Sequence, residues 1–279
     1  MILEHSAMVH KSEITSSFHA FRSYITSLNL FLKTSPTVSG VIQCARTLCD
    51  GLPSEEEVYK QFDSYGARDK GNLGKIIEFA LFGQKPNCDA CPDLEKLGID
   101  LKVTKLKTMK NKNMNAKERL TITNVGNTEK ENFGKDIIDN KSLADTKYYC
   151  KVRRGLAIIV ENGSATKYKT IDDVMNMRVL YFMNYDIENL PDHFRQQIHE
   201  DYTKIRQRII EGNISQRGQK NLHIHPHGSK GSKTRALGFT NKFLTHMIAH
   251  YISLEKNIPI EDVLVQKGKS ISIKPSAFN

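Results

Sequence analysis

Apolar residues recur at helical spacing in four stretches of this chain, and three shorter segments between them carry the alternation or continuity of strands. Residues 12–33 bring Phe18, Phe21, Ile25 and Leu28 near one stripe, ahead of the breaker-rich run Ser35-Pro-Thr-Val-Ser-Gly40. Such a stripe packs a core, or docks a partner helix. From Asn72, the residues Leu73, Ile76, Ile77, Ala80 and Leu81 repeat at helical spacing, and Gly83 closes the C-terminus. Glu78 falls inside that apolar segment, either on its solvated flank or as a buried carboxylate with a partner. Residues 190–211 predict a helix with Pro191 near its start, Phe194, Ile198, Tyr202, Ile205 and Ile209 on one face, and Gly212 past its end. The last helix aligns Leu244, Met247, Ile248, Tyr251 and Ile252.

The strand signals are as clear. In Gly98-Ile-Asp-Leu-Lys-Val-Thr104, alternation turns Ile99, Leu101 and Val103 one way and Asp100, Lys102 and Thr104 the other. Leu156-Ala-Ile-Ile-Val160 is the continuous apolar run of a strand buried on both faces, with Lys151, Arg153 and Arg154 at its entrance. Residues 222–227 alternate again, putting His223, His225 and His227 on one face. Residues 105–119, rich in lysine and asparagine and without periodicity, read as a loop that contacts phosphate or is simply solvated. Helices and strands interspersed in this way predict a mixed α/β fold.

Composition narrows the partners. In 279 residues, 41 Lys and Arg against 31 Asp and Glu leave a formal charge of +10, which suits a polyanion such as nucleic acid. No apolar run approaches the roughly 18–20 residues that cross a bilayer, and the polar start Met-Ile-Leu-Glu-His-Ser lacks the layout of a signal peptide; a cytoplasmic protein with no membrane contact is expected. Five cysteines argue against a disulfide framework. Cys44, Cys49, Cys88 and Cys91 are ordinary thiols or, alternatively, four zinc ligands, although only the second pair has the tight spacing of a zinc knuckle. The three histidines of residues 223–227 invite a zinc reading too, set against DNA contact or plain surface histidines.

The most specific chemistry lies in Pro92-Asp-Leu-Glu-Lys-Leu-Gly-Ile-Asp-Leu-Lys102. Asp100 and Lys102 share a strand face about 6.5–7 Å apart, a span that one hydrated cation and one attacking water can fill. Hydrolysis of a phosphodiester needs an activated water, charge relief at the phosphorus and help for the departing oxygen. Magnesium prefers oxygen ligands and keeps several waters, so Asp93 and Asp100 suffice as its protein ligands, with Lys102 to orient or deprotonate the water.

Three blocks carry a resemblance: Lys70-Gly-Asn-Leu-Gly-Lys-Ile-Ile-Glu78, then Pro92-Asp93 with Leu97-Gly-Ile-Asp-Leu-Lys102, then Lys151-Val-Arg-Arg-Gly-Leu-Ala-Ile-Ile-Val160. In order and spacing they resemble the catalytic half of the MutH family, which comprises the mismatch-repair nicking endonuclease and type II restriction enzymes that cut at GATC. The likeness spans residues 66–160, more loosely residues 209–251, and leaves residues 1–51 outside. It implies that Glu78 is the helix-borne carboxylate beside the metal, Asp93 the central ligand and Asp100 the second acidic position, where MutH itself has glutamate. It also implies that Lys102 is the catalytic lysine, Lys151 a second active-site lysine and Lys70 a DNA contact. His225 and His227 stand where the family has an Arg-Pro-Lys element near DNA. The loop with Lys230, Lys233, Arg235 and Lys242 suits a groove-facing role, since Lys and Arg both neutralise phosphate and donate to guanine.

The fold this implies is restriction-endonuclease-like: a mixed sheet flanked by helices, with two lobes forming a DNA cleft. Residues 1–51 are expected as a helical extension, 52–165 as the catalytic lobe and 166–279 as the DNA-reading lobe. The expected function is a magnesium-dependent type II restriction endonuclease making double-strand breaks in duplex DNA at GATC, assembled on DNA as a homodimer or acting by two nicks. Alternatives are a strand-nicking repair endonuclease, a non-catalytic DNA-binding protein, and a zinc hydrolase using the histidine strand.

Overall fold

The computed structural model describes residues 8–34, 36–65, 71–85, 91–162, 170–214 and 218–278. Two compact units emerge, and both are discontinuous in sequence: one takes Met1–Met114, Leu156–Asn184 and Pro275–Asn279, the other Asn115–Gly155 and Tyr185–Lys274. The architecture is mixed α/β, with a mixed sheet flanked by helices.

In the first unit the strands Asp100–Thr108, Arg154–Glu161 and Val179–Asp186 lie side by side in that order. Leu156 to Val160 are fully buried, as their unbroken apolar run requires. The outermost of the three is closed by a side chain instead of another strand. Asn29 donates from its amide nitrogen to the carbonyl of Phe182 at 3.1 Å and accepts from the Phe182 N–H at 2.9 Å, so the edge is covered by a helix.

That helix, Phe18–Phe31, begins where the Ser17 hydroxyl caps the Ala20 N–H. The single helix expected over 12–33 is therefore two, Lys11–Ile14 and Phe18–Phe31, broken at a serine whose side chain competes for backbone donors. Phe21, Ile25 and Leu28 of the predicted stripe are buried, while Phe18 is 45% exposed. The N-terminal segment also shares one core with the sheet: Phe21, Val41 and Ile42 belong to the same apolar cluster as Leu101, Ile158 and Phe182. Residues 8–50, which lie outside the family resemblance, fall within this unit.

Residues 105–119 also differ from the expected loop. The strand runs on to Thr108 and a short one follows at Met114–Ala116, linked by a turn in which the Met109 N–H donates to the Asn113 carbonyl at 2.8 Å. Leu106, fully buried, anchors the extension. One apolar side chain between lysines holds a strand that composition alone reads as solvated.

The second unit is built on an antiparallel sheet in which Thr234–Phe239 lies between Leu120–Asn127 and Leu222–Pro226. The predicted helices are present as Asp192–Ile210 and Asn241–Lys256. Asp201 of the first, fully buried, accepts backbone N–H groups of Lys220, Asn221 and Leu222 at 3.0, 2.6 and 3.1 Å. A carboxylate thereby fixes the entry of the strand that carries the histidines. Three backbone donors offset part of the cost of burying this anion, and burial still holds the Asp201 carboxyl above its usual pKa.

Candidate active site

The acidic site starts from a turn. Leu94 and Ile99 form an isolated antiparallel bridge around a short 3-10 turn, Glu95–Leu97, with Gly98 in the left-handed region at φ 60. Antiparallel register then puts the residue before Leu94 across from the residue after Ile99, so Asp93 comes to lie opposite Asp100. The Leu101 N–H donates to Asp93 Oδ2 at 2.9 Å, which locks the carboxylate in that place.

Lys102 joins the pair. Its Nζ lies 2.6 Å from Asp100 Oδ2 and 3.9 Å from Asp93 Oδ2, and donates to the Leu101 carbonyl at 2.8 Å. Asp100 is fully buried, and the Lys102 side chain is 23% exposed. Burial opposes the ammonium, but Asp100, Asp93 and Glu78 outweigh it and hold the Lys102 pKa above its usual value.

Glu78 comes from the helix Asn72–Phe82, whose buried face includes Leu73, Ile76, Ile77, Ala80 and Leu81 as the periodicity predicts. Gly83 ends it at φ 65. One turn before Glu78 is Gly74, whose missing side chain would lie 3.6 Å from Glu78 Oε1 and 3.9 Å from Val103 Cβ, so the carboxylate sits over the strand. Burial pushes the Glu78 carboxyl up to about 7, with Asp93 and Asp100 raising it further against the opposing pull of Lys102. Glu78 is thus a half-buried carboxylate coupled to the cluster.

The N-terminal segment supports this helix. Tyr24 donates its hydroxyl to the Leu81 carbonyl at 3.0 Å, and its ring meets Phe82 edge-on with centroids 5.9 Å apart. Sequence reasoning gave residues 1–51 no part in the chemistry. This segment instead holds the helix that presents Glu78, through Tyr24, a residue outside the predicted stripe of Phe18, Phe21, Ile25 and Leu28, and through Phe21 within it, whose ring also meets Phe82.

Four of the five expected catalytic residues, Glu78, Asp93, Asp100 and Lys102, thus come together. Lys151 belongs to the short helix Tyr149–Arg153 of the second unit. That helix is tied down by Tyr149 donating to Glu188 and by Arg153 and Arg154 pairing with Asp186. Tyr251 in turn bonds both backbone groups of Asp186.

The acidic cluster fits a hard divalent cation. Its donors are carboxylate oxygens, and the Lys102 ammonium lies between two of them as a cation would. Among the described residues no three His, Cys, Asp or Glu form a preformed cage. Magnesium does not ask for one, because it keeps waters and takes substrate phosphate as a ligand.

The basic residues expected at DNA divide. His227, Lys230, Lys233 and Lys242 are exposed and Arg235 is half-buried. Lys70 lies outside the described residues. His225 is buried, with Nδ1 at 3.0 Å from the Pro226 carbonyl and Nε2 at 3.4 Å from the Thr121 hydroxyl, so the expected DNA contact is instead packed inside the sheet. On the same strand face His223 is half-buried, and the two rings meet tilted by 41° with centroids 4.8 Å apart. Burial first, then His225 and Arg119, lowers the His223 pKa to about 3; burial, joined by Arg119 and His227 against the Pro226 carbonyl, lowers that of His225 to about 4. Of the cysteines weighed as zinc ligands, Cys44 and Cys49 are buried and Cys91 exposed, and Cys88 lies outside the described residues. Burial, with Asp50 adding to it, pushes the Cys49 thiol up to about 11, away from the thiolate that zinc requires.

The family model for the DNA mismatch repair enzyme MutH matches residues 82–186, a stretch that includes Asp93, Asp100, Lys102 and Lys151. That stretch is similar to the MutH-type endonuclease family. The chain is also 25% identical over 223 residues to the type II restriction enzyme Sau3AI of Staphylococcus aureus, an alignment covering 72% of this chain and 42% of that enzyme. The chain thus spans less than half the length of this curated relative. No described helix is long and apolar enough to cross a membrane.

Proposed function

We propose that this chain is a MutH-type, magnesium-dependent DNA endonuclease that works as a type II restriction enzyme, cutting both strands of duplex DNA at GATC. The observation that carries the reading is the contact of Lys102 with Asp100 at 2.6 Å and Asp93 at 3.9 Å, with Glu78 coupled to all three. Asp93 and Asp100, with Glu78, would hold the cation, which when bound supplies charge relief at the phosphate and a more acidic water. The chain's own residues do the rest. Asp93 is held by the Leu101 N–H, so its carboxylate needs no reorganisation as a substrate arrives. Lys102, kept charged by its neighbours, orients the attacking water and faces the developing negative charge. Lys151 serves as the second active-site lysine, a role supported by the family likeness and open to test by Lys151→Ala. His227, Lys230, Lys233, Arg235 and Lys242 contact DNA, and a homodimer on a two-fold site, or two successive nicks, completes the break.

Purified protein, plasmid DNA and magnesium chloride test the reading, with the fragment ends sequenced. Linear product with ends beginning GATC is expected. Open circles without linear product favour the strand-nicking reading, which the match to the mismatch repair family supports. Uncut plasmid with either magnesium or manganese overturns the enzyme, and DNA binding unchanged by Asp93→Ala would then point to a binding protein.

A further inference from the structure

The second unit holds a cavity of about 680 Å³ that the catalytic reading does not use. Phe133, Ile138 and Ile209 give it an apolar lining, and Lys130, Lys233 and Arg235 add positive charge. No carboxylate lines it. Glu129 reaches Lys233 Nζ at 3.4 Å, but both side chains are more than half exposed, so this pair is weak and open to exchange.

The pocket is built. Gly134 adopts φ 66, and a side chain there would lie 2.8 Å from Ile209 Cγ2. Only glycine lets the 128–134 loop close onto the helix Asp192–Ile210, and that closure sets Phe133 against the cavity. Arg235 is fixed by one edge, with Nη1 donating to the carbonyls of Ser232 at 3.2 Å and Thr234 at 3.1 Å. Its Nε and Nη2 hold no hydrogen bond among the described residues, which leaves two guanidinium donors for a ligand. A pre-oriented guanidinium suits a phosphate.

We propose that this cavity binds a phosphorylated nucleoside, its phosphate on Arg235, Lys130 and Lys233 and its base against Phe133. The volume lies within the range of pockets for ligands of that size. Cations beside an aromatic ring answer the two parts of a nucleotide, an anion and a flat π-face. Such a group has two sources, a free nucleotide or an unpaired nucleotide of a DNA strand. The site lies in a different unit from the acidic cluster and does not rest on the metal chemistry proposed there, although it shares Lys233 and Arg235 with the proposed DNA contacts.

Calorimetric titration of the full chain tests this with three probes: deoxyadenosine 5′-monophosphate, deoxyadenosine and inorganic phosphate. The monophosphate is expected to bind at least about tenfold more tightly than either fragment, a gain of the size that base stacking supplies. Arg235→Gln should weaken it by about tenfold, the scale of one charged hydrogen bond. Phe133→Leu, which keeps an apolar side chain against the fold, should weaken the monophosphate and leave inorganic phosphate unchanged. A short single-stranded oligonucleotide that competes more strongly than the free nucleotide assigns the source to DNA, and the reverse order to the free nucleotide. Equal binding of monophosphate and phosphate, untouched by Phe133→Leu, would reduce the site to a basic patch and overturn the proposal. So would no binding at all. Running the titration on Asp93→Ala as well separates this site from the acidic centre, since binding should persist there.

Discussion

Replacing Lys102 with methionine isolates the electrostatics of the acidic cluster. The ammonium sits 2.6 Å from Asp100, a carboxylate with no solvent exposure, and 3.9 Å from Asp93. Removing one partner of a buried pair typically costs about 3–5 kcal/mol, because the other charge is left uncompensated. Lys102 is 23% exposed, so some of its attraction is already screened and the lower figure, about 3 kcal/mol, is the better expectation. Glu78 would also lose the one neighbour that lowers its pKa. With about 2–4 °C per kcal/mol for a chain of this size, thermal unfolding in chelator should fall by roughly 6–12 °C. A divalent cation can take the place of the ammonium, so magnesium at about ten times its dissociation constant should return roughly 1.4 kcal/mol. The double variant Asp100→Asn with Lys102→Met should be more stable than Lys102→Met alone, since the amide needs no counter-charge. The reasoning is refuted if Lys102→Met unfolds at the parent temperature, or if the double variant is the less stable of the two.

Asp93→Ala should abolish plasmid cleavage while duplex binding, measured by anisotropy in calcium or chelator, stays intact or tightens, because a carboxylate facing phosphate repels it when no cation lies between. Lys230→Ala should weaken DNA binding and reduce the slope of log affinity against log salt by about one, with turnover at saturating DNA unchanged. The histidines give a pH prediction. With folded-state values of about 3 and about 4, His223 and His225 stay neutral where the unfolded chain, near 6.5, takes up two protons. Their contribution is therefore complete above pH 6.5 and lost as pH falls toward 4, with a slope of up to about 2.7 kcal/mol per pH unit. Urea unfolding at pH 7, 6 and 5 should show that decline, and His223→Gln with His225→Asn should flatten it.

Local periodicity made half of the acidic site legible. The alternation from Gly98 gives Asp100 and Lys102 one face because side chains in a strand repeat every two residues, and the apolar repeat from Leu73 to Leu81 gives the helix that bears Glu78. It could not show that Asp93 stands opposite Asp100, which depends on the bridge between Leu94 and Ile99 and on a glycine in the left-handed region. The strand rule likewise assigned the histidines a face without saying what covers it. His225 lies under the neighbouring strand, where a side chain at Gly238 would come within 3.0 Å of its Nε2, so a residue that looks like a surface ligand in sequence is a neutral core group.

The largest gap concerned the N-terminal segment. Its aromatic stripe gave no chemistry, yet Tyr24 bonds Leu81 across 57 residues of sequence and packs on Phe82, at the end of the helix that carries Glu78. A contact of that range has no signature in either segment taken alone, because amphipathic spacing reports that a face is buried and not against what. The consequence runs toward function. For Glu78 to share a cation with Asp93 and Asp100 as proposed, its helix must hold its place over the strand, and the edge-on contact of Tyr24 with Phe82 anchors that helix at its C-terminal end.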